Sequence, residues 1–422
     1  MKIISKTLIK LIIIVLLCGF SQNNAYAQDN NKLSKANTLF KAKRFAEAIL
    51  IYEVLLEKDF NKSVLLKLAR SHRQLNNVPE ALEHFANLMA QPEVRSEHQL
   101  EYIELLIMNG DYKEAQKFLM DVPSTNNTIG EIFRLTTMIN NNYSIDTLFH
   151  HVNLEDFAHN TSDNDENSPF FLDGNLVFTS DKPVFKKLKK KSGMTGRGFY
   201  KIWESKFSDS LFLAPKTYSD AVNASTKNSA NAVFDTVHNE IFFTKNDNKK
   251  AHNSFYNMQL YSGQIKNGKV SKTKKISVNN SEYNFIHPSL SADGKTLLYV
   301  SNRRGEGGTD IFIAKRTKDG WSKGKNIGDI INTQENEGYP FLDKEGNLYF
   351  SSKGHSGLGG YDIYFSKKND EGEWEKPLNL GRPFNSQHDD ISIFFKEDGK
   401  TGAFTSSRNG SDDIFLFTIE EE

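Results

Sequence analysis

The sequence predicts an α + β multidomain chain: an N-terminal helical repeat solenoid, then a five-bladed antiparallel β-propeller closed by a strand from its own N-terminal side. Three observations predict it. Residues 32 to 142 place apolar side chains at helical spacing. From Asn160 onward the apolar period falls to two, with turn residues between the runs. The second part also repeats itself, and self-similarity decides architecture before any single motif does. The expected boundaries are 1–27 for a signal peptide, 28–142 for the helices with a capping helix, and 143–422 for the propeller.

The opening residues set the compartment. Met1 to Lys10 carries three lysines and no acid, Leu11 to Leu17 is apolar, and Ala25-Tyr-Ala27 offers small residues for cleavage. The apolar run is too short to span a bilayer, so it reads as a secretory signal. Lipid anchoring at Cys18 is not expected, because Leu17 stands where a small residue is needed. Cleavage removes that single cysteine, so no disulfide supports the exported chain. Charge is balanced, 53 basic against 53 acidic residues, so nothing in it argues for nucleic acid or an anionic membrane surface as partner. The dense run Lys186–Lys191 reads as a solvated loop.

The helical part contains three related segments that align on Ala48, Ala81 and Ala115, spaced 33 and 34 residues. Phe45, Val78 and Tyr112 precede these alanines; Tyr52, Phe85 and Leu119 follow four residues later. A small residue lets paired helices approach, and the apolar stripe buries the seam. Thr128 to Asn141 would cap the stack. The segments resemble tetratricopeptide repeats, Gly110-Asp-Tyr-Lys-Glu-Ala115 most closely, although the glycine is missing from the first two and the first-helix Trp from all. The resemblance implies a peptide-binding groove along the first helix of each pair. Its positions here would be Asn37, Phe40, Lys41, Arg70, Arg73, Gln74, Glu104, Ile107 and Met108, with the polar ones as candidate partner contacts.

In the second part a mark recurs at Asn160, Asn223, Asn279, Asn332 and Asn385. A turn and a strand ending in a hydroxyl follow each: Thr179, Thr244, Ser301, Ser351 and Thr405. Next comes a strand opening on Asp310, Asp362 or Asp413, with Lys201 and Asn257 in the divergent first two units; Trp321 and Trp374 mark a further turn. An aspartate repeated once per unit reads as a structural hydrogen bond. Four-strand units of this size are propeller blades. The fifth unit lacks an outer strand, and residues 150–167 carry matching marks, so this segment should complete it and remove two open edges.

The blades resemble WD40-like units of the TolB type. Helical repeats followed by such a propeller are similar to the N-terminal half of OmpA-like envelope proteins associated with type IX secretion and gliding in Bacteroidetes. That resemblance implies a periplasmic, outer-membrane-associated adaptor for envelope proteins or for secretion and gliding components. No peptidoglycan-binding domain and no integral membrane span is visible in the sequence.

Chemistry is harder to place. Gly354 to Gly360 leads from strand to strand with no Walker-type lysine, so it reads as a hairpin loop tolerant of shortening and not as a phosphate cradle. Asp163-Asn-Asp165-Glu-Asn167 starts like a calcium loop but has Ser168 for the turn glycine and Gly174 for the bidentate Glu. Ser291-Ala-Asp293-Gly294 partly resembles a sialidase Asp-box. No catalytic, cofactor or metal residue is assigned, and the chain is expected not to be an enzyme. The alternative is a five-bladed carbohydrate-binding protein or glycosidase, for which spacing supplies no carboxylate pair.

Overall fold

A computed structural model describes residues 29–144, 147–184, 191–223, 226–251 and 256–420, of 143 and 144 the backbone only. The expected signal peptide with Cys18, and all of the lysine run but Lys191, lie outside the described residues. No helix among the described residues is long and apolar enough to cross a membrane.

The chain forms two compact units, one reaching to Val94 with Ser192–Gly196, the other comprising Arg95–Lys191 and Arg197–Glu422. The first holds α1 (29–41), α2 (Phe45–Lys58), α3 (Lys62–Gln74) and α4 (Val78–Met89). Asn61 starts α3 by accepting from the N–H groups of Ser63 and Val64, which the helix itself cannot satisfy. Ala36, Ala48 and Ala81 are fully buried, beside Tyr52, Leu68 and Phe85. The second unit begins with α5 (Ser96–Met108), α6 (Tyr112–Met120) and α7 (Ile129–Ser144). The amide of Asn141 donates to the Gly357 carbonyl (3.0 Å) and that of Asn142 to Leu358 (3.0 Å), so α7 is fastened to the blades.

Five sheets of four or five strands follow, besides one two-stranded hairpin, and their innermost strands contact one another in a closed ring. These strands are Glu166–Leu172, Ser229–Asp235, Phe285–Leu290, Glu337–Leu342 and Asp390–Phe395. In the fifth blade Val152–Asp156 pairs antiparallel with Asp413–Ile419, from Val152 opposite Ile419 to Asp156 opposite Phe415. The expected closing strand is therefore present. Apolar clusters fill the five gaps between blades, with Ile363, Phe404 and Phe417 in one and Leu297, Tyr299 and Phe312 in another.

The repeated asparagine has one job. Each accepts from the N–H, and donates to the C=O, of a third-strand residue: Ile414 for Asn160, Ile202 for Asn223, Leu260 for Asn279, Ile311 for Asn332 and Ile363 for Asn385. The side-chain amide thus imitates one more strand residue and ends the ladder at 2.6 to 3.0 Å. Two other marks are shifted from their expected places. Gln259, opposite Lys245, is the second-blade counterpart of Lys201, which stands opposite Ser180; Asn257 lies outside the strand. In the third blade Val300, opposite Ile311, takes the hydroxyl position, not Ser301.

Candidate functional site on the propeller axis

All five inner strands bulge at one level. Ser168, Asn231, His287, Tyr339 and Ser392 sit there with φ of 55, 51, 50, 49 and 49°. Left-handed backbone is unfavourable for such side chains, so surrounding contacts must hold it. The N–H of Asn231 donates to Thr179 Oγ1 of the preceding blade (2.9 Å), that of His287 to Thr244 (3.2 Å) and that of Ser168 to Thr405 (3.2 Å). These bonds account for three of the repeated hydroxyls, Thr179, Thr244 and Thr405; the Ser351 hydroxyl is buried with no hydrogen-bond partner among the described residues. Val300 has none to offer, and the Tyr339 N–H donates instead to His287 Nδ1 (3.3 Å), with the two rings stacked at 3.8 Å. Burial takes the His287 pKa down to about 3, consistent with a neutral ring able to accept at Nδ1. Asn231 donates to Ser168 Oγ (2.6 Å) and Ser392 to Thr405 (2.9 Å), so this layer largely satisfies itself.

On the side of the turns after the inner strands, the axis widens into a cup of about 1270 Å³. Phe170, Phe341 and Phe394 form its wall, with centroids 4.6 Å apart for Phe170–Phe394 and 5.1 Å for Phe341–Phe394. Lys396 lies over Phe171 at 4.3 Å. The rim carries Glu155, Asp173, Glu345, Glu397 and Asp398, all exposed. Asp235, its side chain fully buried, is ion-paired with Arg316 and lies 2.8 Å from His238 Nδ1.

The other mouth, where the inner strands begin, is ionic. Arg197 bridges Asp165 and Asp181, the latter at 2.6 Å, and the Tyr200 hydroxyl donates to Asp165 (2.6 Å). Asn167 donates to Asp412 (3.1 Å), while Lys353 pairs with Asp389 (3.2 Å) and lies over Tyr361 at 4.6 Å. Burial, then the charges of Asp165 and Asp389, push the Asp412 carboxyl well above its ordinary range. Burial raises Asp181 to about 6 and Glu166 to about 7. The Tyr339 phenol is raised by burial and by Asp412, Tyr361, Asp389 and Asp165. Among the described residues no three His, Cys, Asp or Glu are arranged to hold a metal ion, and the calcium-like segment instead spends Asp165 on Arg197.

The glycine run Gly354–Gly360 does join two strands, yet it is not slack. Leu358 is fully buried, and Asp362 accepts from the N–H groups of Leu358 and Gly359 at 3.0 to 3.1 Å. A Cβ on Gly359 would meet backbone of residues 386–388 at 2.5 Å. The expectation that the loop tolerates shortening fails on this packing.

The other sequence-predicted residues scatter. Asp310 accepts from the Glu306 N–H (2.8 Å) and Asp413 from Ser411 (3.3 Å). Trp321 packs under Arg316 at 4.6 Å, and Trp374 under Lys368 at 5.0 Å. Of the candidate partner contacts, Lys41 and Gln74 are exposed, and Arg70 and Arg73 are half-buried. Asn37 points inward, accepting from Tyr52 (3.0 Å) and Lys67 (2.8 Å). Glu104 is buried against Arg134 of α7 (3.2 Å).

No protein-family model matches this sequence, and no curated protein does. Among solved structures, an α-L-arabinofuranosidase from Lactobacillus brevis matches at 14% identity and TM-score 0.39, covering 60% of this chain and 89% of its own. A thermostable family-43 glycoside hydrolase matches at 13% and 0.40, covering 64% and 96%. An oligogalacturonate lyase from Vibrio parahaemolyticus matches at 12% and 0.31, covering 58% and 63%. At these scores none lends its activity to this chain. The expectation that the chain is not an enzyme is withdrawn: it rested on missing motifs of other folds, which do not exclude catalysis on this one, and the matched structures are named as enzymes.

Proposed function

We propose that this is an exported, envelope-located propeller protein that binds or cleaves carbohydrate at the ionic mouth of its axis. The observation that carries the reading is the convergence of Asp165, Asp389 and Asp412 beside Tyr200 and Tyr361. Glycoside cleavage needs one carboxyl that holds its proton and another that stays charged. Asp412, raised by burial, suits the first role, and Asp165, ion-paired to Arg197, the second. Tyrosines supply flat faces and hydroxyls for sugar rings. The test is retention of the full chain on a panel of immobilised polysaccharides and peptidoglycan, with release of reducing ends as the catalytic readout. Retention that Asp412→Asn weakens at least tenfold supports the reading. No retention and no release on any glycan, or an unaffected variant, removes it.

A second reading is the envelope adaptor of secretion or gliding machinery, with tetratricopeptide-like helices and the propeller each holding a protein. The aromatic cup on the opposite mouth favours it, because an apolar pocket ringed by charge suits a side-chain anchor. Pull-down from envelope extracts that recovers protein and no glycan would support this reading over the first.

A further inference from the structure

The cup and the ionic mouth share an axis but not a chemistry. The cup's wall is phenylalanine, whose rings have no polar tip. Its floor is the bulge layer, where Asn231, Ser168 and Ser392 hydrogen-bond to neighbours within the layer and the strand behind it. Few groups remain to read the hydroxyls of a sugar. The rim is strongly one-sided: seven carboxylates line the cavity against two lysines, Lys344 and Lys396. Arg316 and His238 already engage Asp235, and Lys344 lies 3.7 Å from Glu345, but Glu155, Asp173, Glu397 and Asp398 face solvent with no lysine or arginine among the described residues within salt-bridge distance. Beside the mouth, the hairpin formed by Phe207–Ser208 and Leu211–Phe212 leaves Leu211 68% and Phe207 49% exposed, extending the apolar surface outward.

We infer that the cup docks a basic peptide segment of a partner protein, an aromatic or large aliphatic side chain entering between Phe170, Phe341 and Phe394 while flanking lysines or arginines meet the rim. This rests on the adaptor reading and is independent of the carbohydrate reading. An apolar anchor in a desolvated pocket supplies most of the binding energy of such a contact, and the acidic rim supplies selection and speed of encounter. The cavity is large enough for a bulky side chain with adjoining backbone. An anionic lipid surface would be repelled by the same rim.

The probe is a fluorescein-labelled peptide, Lys-Arg-Phe-Leu-Lys-Arg, titrated by anisotropy with the full chain at low and high salt. Two control peptides replace its basic residues with glutamine or its Phe-Leu with Ser-Ser. Saturable binding of the first peptide is expected, at least tenfold weaker for each control and weakened by salt. Phe394→Ala should abolish it. If that variant fails to fold, the exposed rim pair Glu345→Lys with Glu397→Lys carries the test, and at least a tenfold loss is expected. Asp412→Asn, on the opposite mouth, should leave peptide binding unchanged. Absence of binding, equal binding of either control, an unaffected rim variant, or displacement of the peptide by a glycan would each overturn the inference.

Discussion

The two mouths of the propeller axis are built on opposite principles. At the ionic mouth the loops are long and interlocked: Gly357, Gly359 and Gly360 leave no room for a Cβ because neighbouring loops and side chains fill it. At the aromatic mouth three of the turns are open: Gly174, Gly346 and Gly399 have nothing within 4 Å of where a Cβ would stand and are glycine for their positive φ alone, while Gly294 is crowded by Asp235 and His238. One end is therefore closely packed and ionic, with several carboxyls raised by burial, and the other is spacious and apolar with most of its charge on its rim. Between them stands a layer of five strained residues. The same blade, repeated, presents different chemistry at its two ends because strand ends diverge freely while strand interiors cannot.

The contrast can be broken by substitution. The largest effect is expected for Gly359→Ala, where the new methyl group meets backbone that cannot yield; about 3 kcal/mol of stability should be lost in denaturant titration. Phe394→Ala should cost about 2 kcal/mol, less than for a fully buried ring because the side chain is half-exposed to the cup. Gly346→Ala tests the open mouth: only its φ of +85° resists, so about 1 kcal/mol is expected. If Gly359→Ala proves as mild as Gly346→Ala, the two ends are not different in kind.

A fourth test separates the mouths by pH. Glu166 at about 7 and Asp181 at about 6 bind protons more tightly folded than unfolded. Their contribution is full below the unfolded carboxylate value, near ~4, and is lost as pH rises through 6 to 7. In the turns of the other mouth, hydrogen bonds from the Ser291 hydroxyl and the Lys295 N–H take Asp293 down to about 2; Asp398 is lowered too, bonds from Thr401 and Lys400 outweighing its burial. Those contributions are present above about pH 4 and lost on acidification toward 2. The melting temperature should therefore fall on both sides of a weakly acid optimum. Glu166→Gln should flatten the alkaline limb and spare the acid limb; a variant with an unchanged alkaline limb refutes the assignment.

Much of the architecture was legible because it repeats. Five asparagines at near-regular spacing announced five blades, and the structure shows why they recur: each closes a ladder on the backbone of a neighbouring element. The closing strand was legible for the same reason, since Asn160 does for the fifth blade what Asn223 does for the first. Marks went astray where a blade deviates, as at Val300, because a hydroxyl one residue along looks the same in sequence. The axial layer was invisible. Its residues are Ser, Asn, His, Tyr and Ser, with a common backbone bulge and no common side chain. The ionic mouth was hidden differently: Asp165, Asp389 and Asp412 come from three separate loops, and no spacing rule joins them. The glycine loop was misjudged because its constraint comes from residues 386–389, a tertiary neighbour that no local reading contains.

The seam between Val152–Asp156 and Asp413–Ile419 has a consequence for how the protein comes to exist. The ribosome makes the first partner more than 250 residues before the second, so an early strand must wait, its backbone unpaired, while every other blade is synthesised. Contacts between residues so far apart form slowly, because a long chain must be closed before any of them helps. Until then the growing ring offers an adhesive edge at each end. In the finished molecule these two strands are paired, so the exposure of the seam belongs to the protein's birth, before the last strand arrives.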